Sequence, residues 1–207
     1  MSAVKAMVRK VLPKNAFSRS VGVLVGGTVL SQFLLVLAAP LLTRLYTPDD
    51  FGLLAAYTSM LAITLIVSTL RYDIAIPLVE SDLDAINLVA LSLILVVFFS
   101  AFILVGGVLF GGYIVEVLGV PGLANYIWLL PLGVLLGGTY NIFRQWSLRI
   151  KRFGVIASTK FKQSFITLVI QVSAFKVGGF ALLLGQVAGQ GVGISQFSRP
   201  DFRQVSW

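Results

Sequence analysis

Neither cysteine nor histidine occurs among the 207 residues. Their absence removes thiol nucleophiles, disulfides, zinc-finger sites, imidazole triads and histidine-ligated haem from consideration. Acidic residues are scarce too, eight in all, and they do not cluster within the apolar segments. Most metal sites and acid/base pairs need more. No catalytic residue, metal or cofactor is expected, and the chain does not read as an enzyme. Charge of either sign is thin: 12% of residues, against about 25% in an ordinary soluble domain. Gly-rich phosphate loops that follow a strand are also missing.

What is present is apolar. Hydrophobic residues make up 57% of the chain, and the mean hydropathy is +0.95. Too few polar side chains remain to cover a water-facing surface, so the bilayer is the expected solvent. The uncharged runs are 20–43, 51–70, 85–115, 117–143, 163–175 and 177–198. A helix needs roughly 20 apolar residues to cross about 30 Å of hydrocarbon. All but 163–175 reach that length. That run is preceded by Lys160 and Lys162, whose stems can snorkel to headgroups and extend the span to about 158–176. Backbone polarity in lipid demands helices, and the alternation of a membrane β-barrel is missing. The expected fold is therefore an all-α integral membrane bundle of six transmembrane helices, or five if 158–176 does not span.

The spans are placed at about 21–43, 48–70, 84–109, 125–143, 158–176 and 178–196. A basic segment, 1–19, precedes this 20–197 membrane region, and a short tail, 198–207, follows it. With both termini cytoplasmic, fourteen of the sixteen Lys and Arg residues fall on the cytoplasmic side, six of them in the loop 144–162. Only Arg44 and Lys176 face outward. Topology thus accounts for the net charge of +8, and no nucleic-acid partner is expected. The N-terminus resembles a secretory signal, with Ala38 and Ala39 as small residues, but its 24-residue uncharged run exceeds the usual h-region of about 7–15. It reads as an uncleaved first span. Val4, Met7, Val8, Val11 and Leu12 would share one helical face, so 1–19 is either a solvated tail or a helix on anionic headgroups.

Local signals sharpen this outline. Gly22 and Gly26 form a small-xxx-small pair suited to close helix approach. Thr28, Ser31 and Gln32 place neutral polar groups in mid-span, either as interhelical hydrogen-bond partners or as the lining of a hydrophilic cavity. Thr47, Pro48, Asp49 and Asp50 spell a capped helix start, and Ser81 with Asp84 repeats the spacing. Glycines and Pro121 in 110–125 indicate an external loop. Gly185, Gly189 and Gly193 recur every fourth residue, with Gln186 and Gln190 beside them. Arg44 and Arg71 each end a span. They are interface anchors, or they bind an anion in a water-filled cavity, a task suited to the planar, permanently charged guanidinium.

The stretch Leu42-Thr43-Arg44-Leu45-Tyr46-Thr47-Pro48-Asp49-Asp50-Phe51-Gly52, with Leu70-Arg71-Tyr72-Asp73-Ile74-Ala75-Ile76-Pro77-Leu78, resembles the polysaccharide biosynthesis proteins of the O-antigen flippase type. These belong to the multidrug/oligosaccharidyl-lipid/polysaccharide exporter superfamily. Gln145 to Phe153 and Leu184 to Gly189 are similar too, and the likeness covers about 12–196. It implies translocation of polyprenyl-pyrophosphate-linked oligosaccharide across the bacterial inner membrane by alternating access between two six-helix lobes. Arg44 and Arg71 are then the candidate pyrophosphate contacts, and Thr28, Ser31 and Gln32 the candidate cavity lining. Six spans correspond to one lobe, the N-terminal one. A truncated or half-length member is therefore expected, needing a second lobe or a homodimer to enclose a cavity. A multidrug or cation exporter lobe and a non-transporting membrane remnant are the alternatives.

Overall fold

Thr47 opens the clearest helix start in the chain. Its side chain accepts from the Asp50 amide, and the Asp50 carboxylate accepts from the Thr47 amide at 2.9 Å. The computed structural model describes residues 14–197, so the expected 1–13 and 198–207 terminal segments lie outside the described residues. Among the described residues all regular structure is helical: α1 (Lys14–Leu45), α2 (Pro48–Ser68), the short α3 (Tyr72–Ala75), α4 (Asp82–Leu118), α5 (Leu129–Arg149), α6 (Phe153–Ser173) and α7 (Gly179–Phe197), with 3-10 turns at Pro121–Tyr126 and Phe175–Val177.

Three helices are long and apolar enough to cross a membrane by themselves: Gly22–Leu45, Pro48–Ser68 and Asp82–Val117. Their outward faces are covered with large apolar side chains such as Val36, Ile63, Phe102 and Val108. In water such a surface would be an aggregation liability; in hydrocarbon it is the solvated face. α5 and α7 are built differently. Every position of α7 from Gly179 to Ile194 is buried or half-buried, and α5 exposes only Leu132. α7 sits at the centre, packed against α6, α5 and α2. α1 packs chiefly on α6, and α4 on α5. The main core joins α2, α5 and α7 through Leu53, Tyr57, Leu61, Val134, Leu183 and Val187.

Two boundaries differ from the sequence expectation. α4 runs on to Leu118, through residues expected to open the external loop. Glycine inside a helix costs only about 1 kcal/mol, and the apolar residues around Gly106, Gly107, Gly111 and Gly112 keep the helix intact. It ends at Gly119, whose φ of 64° is left-handed. The expected basic loop 144–162 is almost entirely helical. Only Ile150 to Arg152 separate α5 from α6, with Lys151 at a φ of 56°. A run of basic residues marks the membrane surface without dictating loop conformation.

Arg149 binds that end together. Its guanidinium donates to the Ile76 and Glu80 carbonyls at 3.2 Å each, to the Val79 carbonyl, and to Asp82 Oδ1 at 2.8 Å. It thereby ties the α3–α4 connection to the end of α5. At the opposite end the Tyr46 hydroxyl donates to the Gln171 carbonyl at 2.5 Å. Burial, assisted by the Asp50 charge, pushes that phenol above its ordinary range and keeps the donor protonated. Tyr46 so fastens the end of α1 to α6.

Candidate functional site

Without a hydrophobic drive between helices in lipid, close association depends on small residues and interhelical hydrogen bonds. The α6–α7 seam uses both. Gln163, Thr167 and Gln171, every fourth residue on α6, face the glycines of α7. A Cβ on Gly185 would lie 2.8 Å from the Gln171 side chain, one on Gly189 2.2 Å from Thr167 Oγ1, and one on Gly193 2.5 Å from both Gln163 and Tyr140. Thr167 donates to the Gly185 carbonyl at 3.1 Å, and Gln171 to the Leu182 carbonyl at 3.2 Å.

This seam continues into a polar cavity of about 290 Å³ in the half of the bundle nearer the α5–α6 turn. Its floor is Tyr140 and Asn141 from α5, Lys160 and Gln163 from α6, and Gln186 and Gln190 from α7. Leu35 of α1 and Leu65 of α2 form the remaining side. α1 and α2, joined by a tight turn, make no extended contact along their length.

The cavity is positive and free of carboxylate. Between Glu116 and Asp201 the sequence contains no acidic residue. Lys160 lines the cavity, and Arg144 lies close enough for its charge to act on both Lys160 and the Tyr140 hydroxyl. Among the described residues, Arg144 Nε and Gln190 Oε1 are buried without a hydrogen-bond partner. A buried donor and a buried acceptor left open are expensive unless water or a ligand completes them.

The residues expected to form the site lie elsewhere. Arg44 is exposed at the end of α1, beside the start of α2. Arg71 is exposed just past the other end of α2, at a φ of 63°. A 21-residue helix is about 30 Å long, so the two stand at opposite faces and cannot hold one pyrophosphate together. Thr28 and Ser31 bond back to the Leu24 and Gly27 carbonyls of their own helix at 2.9 and 2.7 Å. Gln32 is exposed. None of the three lines the cavity; Leu35, one turn further on, does. Gly22 and Gly26 face open space, whereas Gly27 makes the close approach: its Cβ would lie 2.5 Å from Ala157 Cβ. Lys160 and Lys162 are both exposed, and of the two only Lys160 also lines the cavity. The signal available in sequence was the i, i+3, i+4 recurrence of Lys160, Gln163, Ser164 and Thr167 on one helical face.

A larger recess of about 640 Å³ opens at the other end, beside Asp49, Asp50, Gly122 and Gly178. Asp50 is committed to the cap of α2, so the recess offers no comparable set of open groups.

Residues 41–198 match the family described as polysaccharide biosynthesis protein. No curated protein and no solved structure gives a match.

Proposed function

The chain belongs to the polysaccharide biosynthesis protein family, and from that premise we propose that it is one lobe of a flippase for polyprenyl-pyrophosphate-linked oligosaccharide in the bacterial inner membrane. The observation that carries this reading is the carboxylate-free, amide-lined cavity inside a bundle whose outer helices are dressed for lipid. Such a cavity suits a polyhydroxyl, anionic headgroup while the lipid tail stays in hydrocarbon. Translocation of this kind makes and breaks no bond, so the chain acts as a carrier and not as an enzyme.

In this reading the bundle has six spans, and the burial pattern supports it. α5 and α7 are enclosed by other helices, so the polar residues of α5 are carried in contact with protein, and α7 is a shorter apolar helix at the centre. α6 carries its polar residues toward α7 and the cavity. Both termini then lie in the cytoplasm. A reporter inserted at Asn125, in the turn between α4 and α5, will be external, and one at Lys151 internal; the reverse pattern refutes the orientation.

Arg44 and Arg71 keep a role at separate stations. A lipid pyrophosphate rests at the headgroup level of either leaflet, and two arginines about 30 Å apart match those two levels. Arg71 receives the pyrophosphate on the cytoplasmic side and Arg44 releases it outside. Polar cavity groups left facing hydrocarbon would be unpaired, so in this reading a second lobe or a second copy of the chain completes the enclosure. An exporter of organic cations is disfavoured, because its substrate would sit beside Lys160 and Arg144 with no counter-charge.

Complementation of a flippase-null strain, supplying a second lobe where required, tests the function. Wild type restores surface polysaccharide, and Arg71→Ala or Arg44→Ala lowers it about ten-fold or more at normal membrane levels, the loss of roughly one charge-assisted contact. Failure of the wild type despite normal insertion identifies an inert remnant. Unchanged polysaccharide in both variants removes the arginines from the mechanism.

A further inference from the structure

We propose that the connection from α2 to α4, residues 69–81, is an interfacial platform resting on the headgroup layer, its partner the lipid leaflet itself. The assignment goes beyond transport and holds for this bundle whatever it carries.

The platform is apolar on the side that a loop in water would make polar. Leu70, Tyr72, Ile74 and Leu78 are exposed, Leu78 at 76%. Thr69, Asp73 and Ile76 are the buried ones. The inward polar groups are satisfied. Thr69 donates to Asp73 Oδ1 at 2.8 Å and accepts from the Arg71 amide at 3.3 Å. The arrangement is imposed on the backbone. Leu70 and Arg71 take φ values of 47° and 63°, a left-handed pair that residues with a Cβ seldom adopt. Such strain persists where the surroundings hold it. Here Thr69 holds one side, and the Arg149 guanidinium holds the other through the carbonyls of Ile76, Val79 and Glu80.

Two observations say what covers this surface. The first is continuity. Exposed Ile66 and Val67 at the end of α2 and Leu83 at the start of α4 flank the patch, and those helix faces meet lipid. Within it, Arg71 and Tyr72 are residue types that favour the headgroup level. The second is length. α2 and α4 both wall the recess at the far end, through Pro48 and Gly119, so they are level there. From that level α2 runs 21 residues and α4 runs 37, about 31 and 55 Å. α4 stays within hydrocarbon plus headgroups, about 40–45 Å, only at a tilt near 40°. Its foot then lies in the headgroup layer, and Arg149, bonded to Asp82, holds the connection beside it.

The chain contains no cysteine, so one introduced thiol carries one nitroxide. Leu78→Cys and Ile74→Cys are labelled in the full chain, in nanodiscs of phosphatidylethanolamine and phosphatidylglycerol. Ile63→Cys is the hydrocarbon reference and Lys151→Cys the water reference. Collision with oxygen and with a nickel chelate reads the depth of each label. Leu78 and Ile74 are expected between the two references, about 5–10 Å into the boundary of headgroups and acyl chains. Thermal unfolding identifies any labelled variant that fails to fold. Leu78→Trp then gives the same reading, by quenching with brominated lipid beyond that of the native tryptophans. Nickel contact at Leu78 equal to that at Lys151, or no added quenching of Leu78→Trp, overturns the proposal in favour of a loop in water. Shielding of Leu78 from both oxygen and nickel overturns it in favour of a protein partner or a second copy of the chain.

Discussion

Gly189→Leu will abolish most of the folded protein, whereas Gly26→Leu will leave it unchanged. The two glycines look alike in sequence, each inside an apolar helical stretch. A Cβ at Gly189, however, would lie 2.2 Å from Thr167 Oγ1 and 3.3 Å from the Gln163 carbonyl, and Gly26 has nothing within 4 Å. Thr167 cannot swing aside freely, because its hydroxyl is bonded to the Gly185 carbonyl one turn away. The remaining route is separation of α6 from α7, which opens the central seam of the bundle. Overpacking usually costs about 1–3 kcal/mol; a leucine driven into a backbone-to-backbone contact belongs at or above the upper end. Gly26→Leu adds a lipid-facing side chain and should stay within about 0.5 kcal/mol. Unfolding in detergent, followed by tryptophan fluorescence, reads both. Equal stability of the two variants would disprove the seam.

Arg149→Leu is the second large effect, at about 3 kcal/mol. The ion pair with Asp82 contributes little of it, since the Asp82 side chain is half exposed while that of Arg149 is 12% exposed. The loss lies in the carbonyls of Ile76, Val79 and Glu80, which all turn to one guanidinium and would be left partly unsatisfied at about 1–3 kcal/mol each if fully buried. Asp82→Asn should therefore cost no more than about 1 kcal/mol. Arg149→Lys should recover only part of the deficit, because an ammonium lacks the planar fork. If Asp82→Asn proves as damaging as Arg149→Leu, the carbonyl clamp is not what holds the α3–α4 connection.

Local chemistry made much of the fold legible. Thr47 and Asp50 announce the start of α2, Ser81 announces α4, and the four-residue glycine period of α7 announces a tight interface, because each signal acts within a few residues of itself. Signals that depend on neighbours misled. Glycines before Leu118 read as a loop, and basic residues from Arg144 onward read as a loop, although both stretches are helical. Gly22 and Gly26 fit a packing motif, but helix rotation presents Gly27 to Ala157 instead. The site was least legible. Arg44 and Arg71 belong to adjacent motifs, yet a whole helix length parts them. Tyr140, Lys160 and Gln190 come from three helices, and only tertiary packing gathers them.

The first hairpin carries one more lesson, about the order of assembly. α1 leaves the ribosome early, yet its packing partner is α6, which begins at Phe153. Synthesis at about 5–20 residues per second imposes a delay of roughly 5–20 s between the end of α1 and the start of α6. During that interval α1 must wait dissolved among acyl chains, sustained by its oily flank alone. Its greasiness is thus a provision for biogenesis as well as for the finished bundle.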